Sequence, residues 1–230
     1  MGTPSTDVGN DATGHRERLR SRLIEGGPEA LLDHEMLEYL LMLVTPRVDT
    51  KPEARRLIAE FGSYGALVSA DTSTLRQAGI GDRALGAIRI AQASALRLLK
   101  SEASHQPVLA SWAALLDYLH ADMAHRMIER ARVLHLNTKN MLIRDELVSE
   151  GSIDQAAIHI REIVRRALEL GSAALILVHN HPSGDPAPST QDIALTRELI
   201  QALKPLGIIV HDHVIIGTRG NTSMRELGLI

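Results

Sequence analysis

Ala173-Ala174-Leu175-Ile176-Leu177-Val178-His179-Asn180-His181-Pro182-Ser183-Gly184-Asp185-Pro186 is the stretch that decides the architecture of this chain. The apolar run is short and follows Gly171-Ser172, so it reads as a buried strand. Side chains alternate along a strand, which points His179 and His181 the same way at its end. The loop that follows, rich in proline, glycine and serine, turns the chain, and Ser189 opens a new helix with Asp192 in its first turn. Two imidazoles and a carboxylate on converging elements suit a divalent metal, with zinc the first expectation.

Composition narrows what the rest of the chain can be. The 230 residues accommodate one large domain or two small ones, and no cysteine is present. Disulfides, thiolate ligands and cysteine nucleophiles are thereby excluded, so nitrogen and oxygen must hold any metal. No apolar run is long enough to span a membrane. Residues 1–14 are polar, lack the features of a secretion signal and are expected to be a disordered tail, which makes a cytoplasmic location the default. Residues 15–100 carry a net charge of +2 and residues 101–230 a net −3. Neither half has the basic signature of a dedicated nucleic-acid binder, and aromatics at 2% leave little for base stacking.

Residues 15–100 carry helical spacing throughout and predict a compact all-α bundle. Asp33 is a candidate N-cap, with Glu35 and Glu38 on the wet side of the following helix; Pro52 suits the first turn of a helix ending at Phe61. A short helix is expected over 69–77, then Gly79-Ile80-Gly81, then an alanine-rich helix over 83–100. The Gly-Ile-Gly turn resembles a helix-hairpin-helix motif. Its glycines would let backbone approach a phosphate and the next helix would offer free N–H groups, so Gly79, Ile80, Gly81 and Arg83 are candidate DNA contacts. A glycine C-cap followed by an Asp82 N-cap is the plain alternative. Polar residues 101–107 include a proline and mark the linker to a second domain over 108–230. There, a helix from Trp112 is followed by a hairpin of strands over 132–137 and 141–149. A helix over 159–170 should bury Ile160, Ile163, Val164, Ala167 and Leu168. The strand carrying the histidines, a helix over 190–203, and one strand or two short ones over 207–217 complete a mixed α/β domain with a central sheet.

Three protein ligands leave a metal with an open position for water, the mark of a catalytic site. Hydrolysis also needs a carboxylate to take and return a proton. Glu146 and Glu150 are the two candidates, and their even spacing along one strand gives them the same facing.

His179-x-His181-Pro182, a spacer, then Ser189-x-x-Asp192 resembles the JAMM (JAB1/MPN/Mov34) metalloprotease motif. With the downstream Asp212-His213-Val214-Ile215-Ile216-Gly217, the chain more closely resembles the bacterial RadC-like (UPF0758) family. Arg16-Glu17-Arg18-Leu19, the Gly79-Ile80-Gly81 hairpin and Asp145-Glu146 extend the likeness over nearly the whole chain. The resemblance implies one zinc per chain held by His179, His181 and Asp192. It also implies Glu146, in preference to Glu150, as the group that activates water, and Ser189 as the hydroxyl that steadies the tetrahedral intermediate. The activity implied is hydrolysis of peptide or isopeptide bonds in a protein or peptide substrate, within a family that carries a DNA-repair name.

Plain roles compete at several positions. Ser189 and Asp192 also fit a capping box, which is compatible with the chemical role because it would hold Ser189 in place. Asp185 reads as a turn former. His211 and His213 could face a metal by strand logic, but only His213 belongs to the family pattern, so a second metal site is not expected. Two other functions remain open at this stage: a DNA-repair-associated DNA-binding protein whose metal is structural or regulatory, and, least favoured, a metal-dependent nuclease.

Overall fold

The computed structural model describes residues 8–104, 106–151 and 159–230, and the chain divides into two compact units, Met1–Ala93 and Ser94–Ile230. The first is helical, with α1 Val8–Gly26, α2 Asp33–Val44, α3 Lys51–Phe61, α4 Tyr64–Ser69, α5 Thr72–Gln77 and the start of α6 Asp82–Ser104. Of the expected tail, residues 1–7 lie outside the described residues, while residues 8–14 belong to α1. Leu37, Leu57, Leu67, Leu75 and Ile88 lie at the centre of its core.

Local polar bonds explain where these helices depart from expectation. Leu32, not Asp33, is the N-cap of α2. Glu35 accepts from the Leu32 N–H at 3.0 Å, and Asp33 instead accepts from the Tyr64 N–H at 2.8 Å. Glu38, expected on the wet side, is buried because His15 of α1 bonds its carboxylate at 2.8 Å. The helix expected over 69–77 begins only at Thr72, as α5, and is preceded by an unexpected α4: Ser63 caps α4, and extended backbone at Ala70 separates the two. In the hairpin, Gly79 takes a left-handed φ of 85° and the Ile80 N–H returns to the Leu75 carbonyl at 3.1 Å. That turn drives the Ile80 side chain into the core, while Gly79, Gly81 and Arg83 are exposed. Asp82 pairs with Arg76 at 3.1 Å. α6 continues to Ser104 through part of the stretch expected as a linker, and its Leu96 and Leu99 pack in the core of the second unit.

The second unit contains α7 Trp112–Met123, β1 Glu129–Leu136, β2 Leu142–Gly151, α8 Ile160–Glu169, β3 Ala174–Asn180, α9 Thr190–Leu203, β4 Ile209–Gly217 and β5 Gly220–Ser223. The strands form one sheet in the order β2-β1-β3-β4-β5. Only β3 and β4 run parallel; the other neighbours are antiparallel. β3 lies in the middle with all seven residues buried, which is why it is apolar without alternation. Ile176 and Val178 pack with Leu134 against α7, while Leu175 and Leu177 pack with Val133 against α8 and α9. Leu168, expected inward on α8, is 55% exposed, since the buried stripe is Ile160, Ile163, Val164 and Ala167 and the next residue lies a step further round.

Two bulges reset which face a residue uses. On β2, Leu147 pairs with Arg132 but Ser149 pairs with Ala131, so Val148 is extra. Glu146, opposite Val133, therefore faces α8 and α9, whereas Glu150, opposite Arg130, faces the other side. On β4 the register skips from Val210 to Asp212, which returns His213 to the α9 face. No helix among the described residues is long and apolar enough to cross a membrane.

Candidate metal centre

β3 and α9 converge at the opening stretch. Ser189 is the N-cap of α9, its hydroxyl accepting from the Asp192 N–H at 3.1 Å while the Asp192 carboxylate accepts from the Ser189 N–H at 2.8 Å. This capping box turns Asp192 back toward the end of β3. His179 Nε2 lies 2.9 Å from His181 Nε2 and 3.2 Å from Asp192 Oδ1, and His181 Nε2 lies 3.6 Å from Asp192 Oδ2. A tetrahedral zinc with bonds near 2.0–2.1 Å separates neighbouring ligand atoms by about 3.3 Å. The observed separations, taken to one or the other oxygen of Asp192, are of that order, so the three residues fit a divalent metal ion. They are the one His/Asp/Glu group of this kind among the described residues.

The loop between them is pinned from below. The His181 N–H donates to the Ile216 carbonyl at 2.9 Å, and His181 Nδ1 bonds the Asp185 carbonyl at 2.8 Å. Asp185 acts as the expected turn former, its carboxylate accepting from the Ala187 N–H at 3.1 Å. Gly184, at φ 80°, sits against the turn joining β4 and β5: a Cβ there would strike Thr218 Oγ1, and one on Gly217 would strike the Gly184 carbonyl. On the other side of β3, Asn180 accepts from the Arg130 N–H at 2.8 Å and donates to the Ile128 carbonyl at 3.2 Å, fixing the start of β1.

Behind the ligands, His179 Nδ1 lies 2.7 Å from His213 Nε2, His213 Nδ1 lies 2.5 Å from Thr196 Oγ1, and Thr196 Oγ1 lies 2.6 Å from the Asp192 carbonyl. Burial pushes His179 down to about 4 against the opposing charge of Asp192, and burial likewise holds His213 well below its ordinary value. His181 is raised, chiefly by its bond to Asp192. Burial alone would raise Asp192, but bonds from His181 and Ser189 and the charge of His179 hold it well below the usual carboxylate range.

Glu129, which precedes the strand expected over 132–137, stands on the same face of the sheet as this cluster. It is the first residue of β1, two before Ala131, which pairs with His179. Its charge acts on both His181 and Asp192, and burial raises its carboxyl above the ordinary range. Starting β1 at 129 instead of 132 would have put Glu129 on the metal face by alternation. Glu146 goes elsewhere. It accepts from Arg166 Nε at 3.1 Å and lies 3.6 Å from His135 Nε2. The Ser189 hydroxyl donates to Asp192 Oδ2 at 2.6 Å.

The RadC-like JAB domain family matches residues 109–229. A UPF0758 protein of Rhodobacter capsulatus is 48% identical over 92% of this chain and all of its own length. A UPF0758 protein of Ruegeria pomeroyi is 44% identical over 94% of this chain and 97% of its own. A JAMM-like metal-dependent fold is what this likeness supports, in keeping with the His179–His181–Asp192 cluster. The chain belongs to the RadC-like (UPF0758) family, whose JAB domain is matched by residues 109–229.

Proposed function

We propose that this protein is a zinc-dependent hydrolase of peptide or isopeptide-type bonds, with His179, His181 and Asp192 as the metal ligands and a peptide or protein as substrate. The observation that carries this reading is the convergence of two imidazole Nε2 atoms and the Asp192 carboxylate within 2.9–3.6 Å of one another where β3 and its following loop meet the start of α9. Zinc at such a site supplies Lewis acidity to a carbonyl oxygen and lowers the pKa of water toward about 7. Glu129 is the group we assign to take a proton from the attacking water and hand it to the leaving nitrogen. Its raised pKa suits a group that must hold that proton between the two transfers. Ser189 orients Asp192 in the resting arrangement, and its hydroxyl must turn from Oδ2 to meet an oxyanion.

The test is metal analysis combined with an unbiased peptide-cleavage screen of the full chain, wild type against Glu129→Gln. About one zinc per chain is expected in both, with hydrolysis reduced about 10²–10⁴-fold in the variant. Undiminished cleavage by Glu129→Gln would move the base elsewhere. A folded wild type that never retains zinc would sink the reading altogether.

The exposed Gly79-Gly81 turn supports a second role, in which the helical unit contacts DNA backbone through these glycines and Arg83. Each glycine has open space where a Cβ would stand. Such binding would weaken steeply with salt and ignore base sequence. Binding that is unchanged by Arg83→Ala and by 200 mM salt would refute it. Incubation of the zinc-loaded protein with plasmid DNA distinguishes this role from nuclease activity, for which no cleavage is expected.

A further inference from the structure

His213 and Thr196 touch no open space at the metal centre, yet they join two of its ligands through one chain of hydrogen bonds. We infer that His213 and Thr196 are positioning residues that set which nitrogen of His179 carries its proton, leaving the Nε2 lone pair free for a metal. This inference rests on the metal reading proposed above and extends it beyond the three ligands.

The direction of every bond follows from its starting point. The Asp192 carbonyl can only accept, so the Thr196 hydroxyl donates to it across 2.6 Å. The other acceptors in reach are Met224 Sδ, a weak one at 3.7 Å, and His213 Nδ1, to which this assignment gives the hydrogen instead. A hydroxyl has a single proton, so toward His213 Nδ1, at 2.5 Å, it accepts, and that nitrogen carries the hydrogen. His213 is wholly buried and, among the described residues, its ring bonds only Thr196 and His179 with no carboxylate to hold a second proton, so its Nε2 presents a lone pair. His179 Nδ1, 2.7 Å away, must then donate, and His179 Nε2 is left with its lone pair toward His181 and Asp192. His181 reaches the same state by a shorter route, since its Nδ1 donates to the Asp185 carbonyl. With both Nδ1 atoms donating outward, the two neutral rings can turn their Nε2 lone pairs toward the Asp192 carboxylate together. A cation relieves the repulsion among these acceptors, and the same logic sets ligating histidines in metal sites generally.

The chain also shares its anchor with the site. Asp192 contributes its carboxylate to the cluster and its carbonyl to the relay, so α9 sets the geometry of one ligand and the tautomer of another. The bulge at β4 is what brings His213 onto this face.

The test uses full-length protein with 15N-labelled histidine, comparing wild type, Thr196→Val and Thr196→Ser. Thr196→Val keeps the shape and removes the hydroxyl; Thr196→Ser restores it. Two-bond 1H–15N spectra of the metal-free wild type should show His213 and His179 both protonated at Nδ1. Thr196→Val should give mixed tautomers at both rings and weaken zinc binding about 10–100-fold. Thr196→Ser should restore both. A Thr196→Val protein that folds, binds zinc like wild type and keeps the His179 tautomer would overturn the inference. So would a folded Thr196→Ser variant as impaired as Thr196→Val, which would assign the effect to the lost methyl group. The spectra of the metal-free protein separate the two ideas: absence of zinc binding by the wild type counts against the metal reading, while Nε2–H on His179 counts against the relay.

Discussion

Two buried histidines on the same face of the sheet, His179 and His135, each have a glutamate nearby, and only one of the two regions is built to take a cation. At His135, Nδ1 bonds Ser172 Oγ at 2.9 Å and Nε2 faces Glu146 at 3.6 Å. The Glu146 carboxylate is already met by the Arg166 guanidinium, which also reaches Glu169 at 2.6 Å. Negative charge there has been matched from α8. At His179 the capping box turns the Asp192 carboxylate toward the two imidazoles, and among the described residues no Lys or Arg pairs with it. A histidine next to a carboxylate is therefore weak evidence of a metal site. Two imidazoles and a carboxylate that converge with no Lys or Arg paired to them among the described residues are stronger evidence.

The largest expected effect breaks the comparison outright. Replacing both His179 and His181 by Ala should reduce zinc from about one per chain to background in elemental analysis, whereas His135→Ala should leave zinc content untouched. Loss of zinc on removing His135 would make the two regions one site. Next in size is the response of the metal-free protein to acid. His179 ionises at about 4 when folded and near 6.5 when unfolded, so below pH 6.5 the unfolded chain binds the extra proton. Its contribution is complete above that pH and is lost as pH falls toward 4, on the order of 3 kcal/mol in all. His213 acts in the same sense and His181, whose pKa is raised, in the opposite one. Urea midpoints with chelator present should fall across this window; a flat profile would contradict it. The smallest effect tests the matched pair. Glu146→Gln should cost about 1 kcal/mol or less, because the ion pair with Arg166 is partly exposed, and should leave zinc retention and cleavage within a few-fold of wild type. A collapse of activity in that variant would restore Glu146 to the chemistry.

What could be read from residues alone follows the same division. The stretch around His179 was legible because a buried central strand, a proline-rich turn and a helix cap are each local signals, and together they place His179, His181 and Asp192. α9 was found to the residue for the same reason. Glu129 was missed because β1 begins three residues earlier than its alternation shows, with the exposed Met127 and Ile128 just before it masking the boundary. Equal facing of Glu146 and Glu150 failed for a different reason: a bulge is a property of pairing between strands, and nothing in Leu147-Val148-Ser149 announces it. Glu38 was misread because its partner, His15, is 23 positions away. Long-range polar pairing also explains Asp33, whose carboxylate serves α4 in place of its own helix.

The contact between Gly184 and the turn joining β4 and β5 has a consequence for how fast and how tightly the centre captures its ion. The loop cannot swing away without parting from Thr218 and breaking the Arg219 N–H bond to the Gly184 carbonyl. Its conformational entropy is therefore given up when the chain folds and not when an ion arrives. Capture of a metal ion there would then demand little rearrangement of this loop.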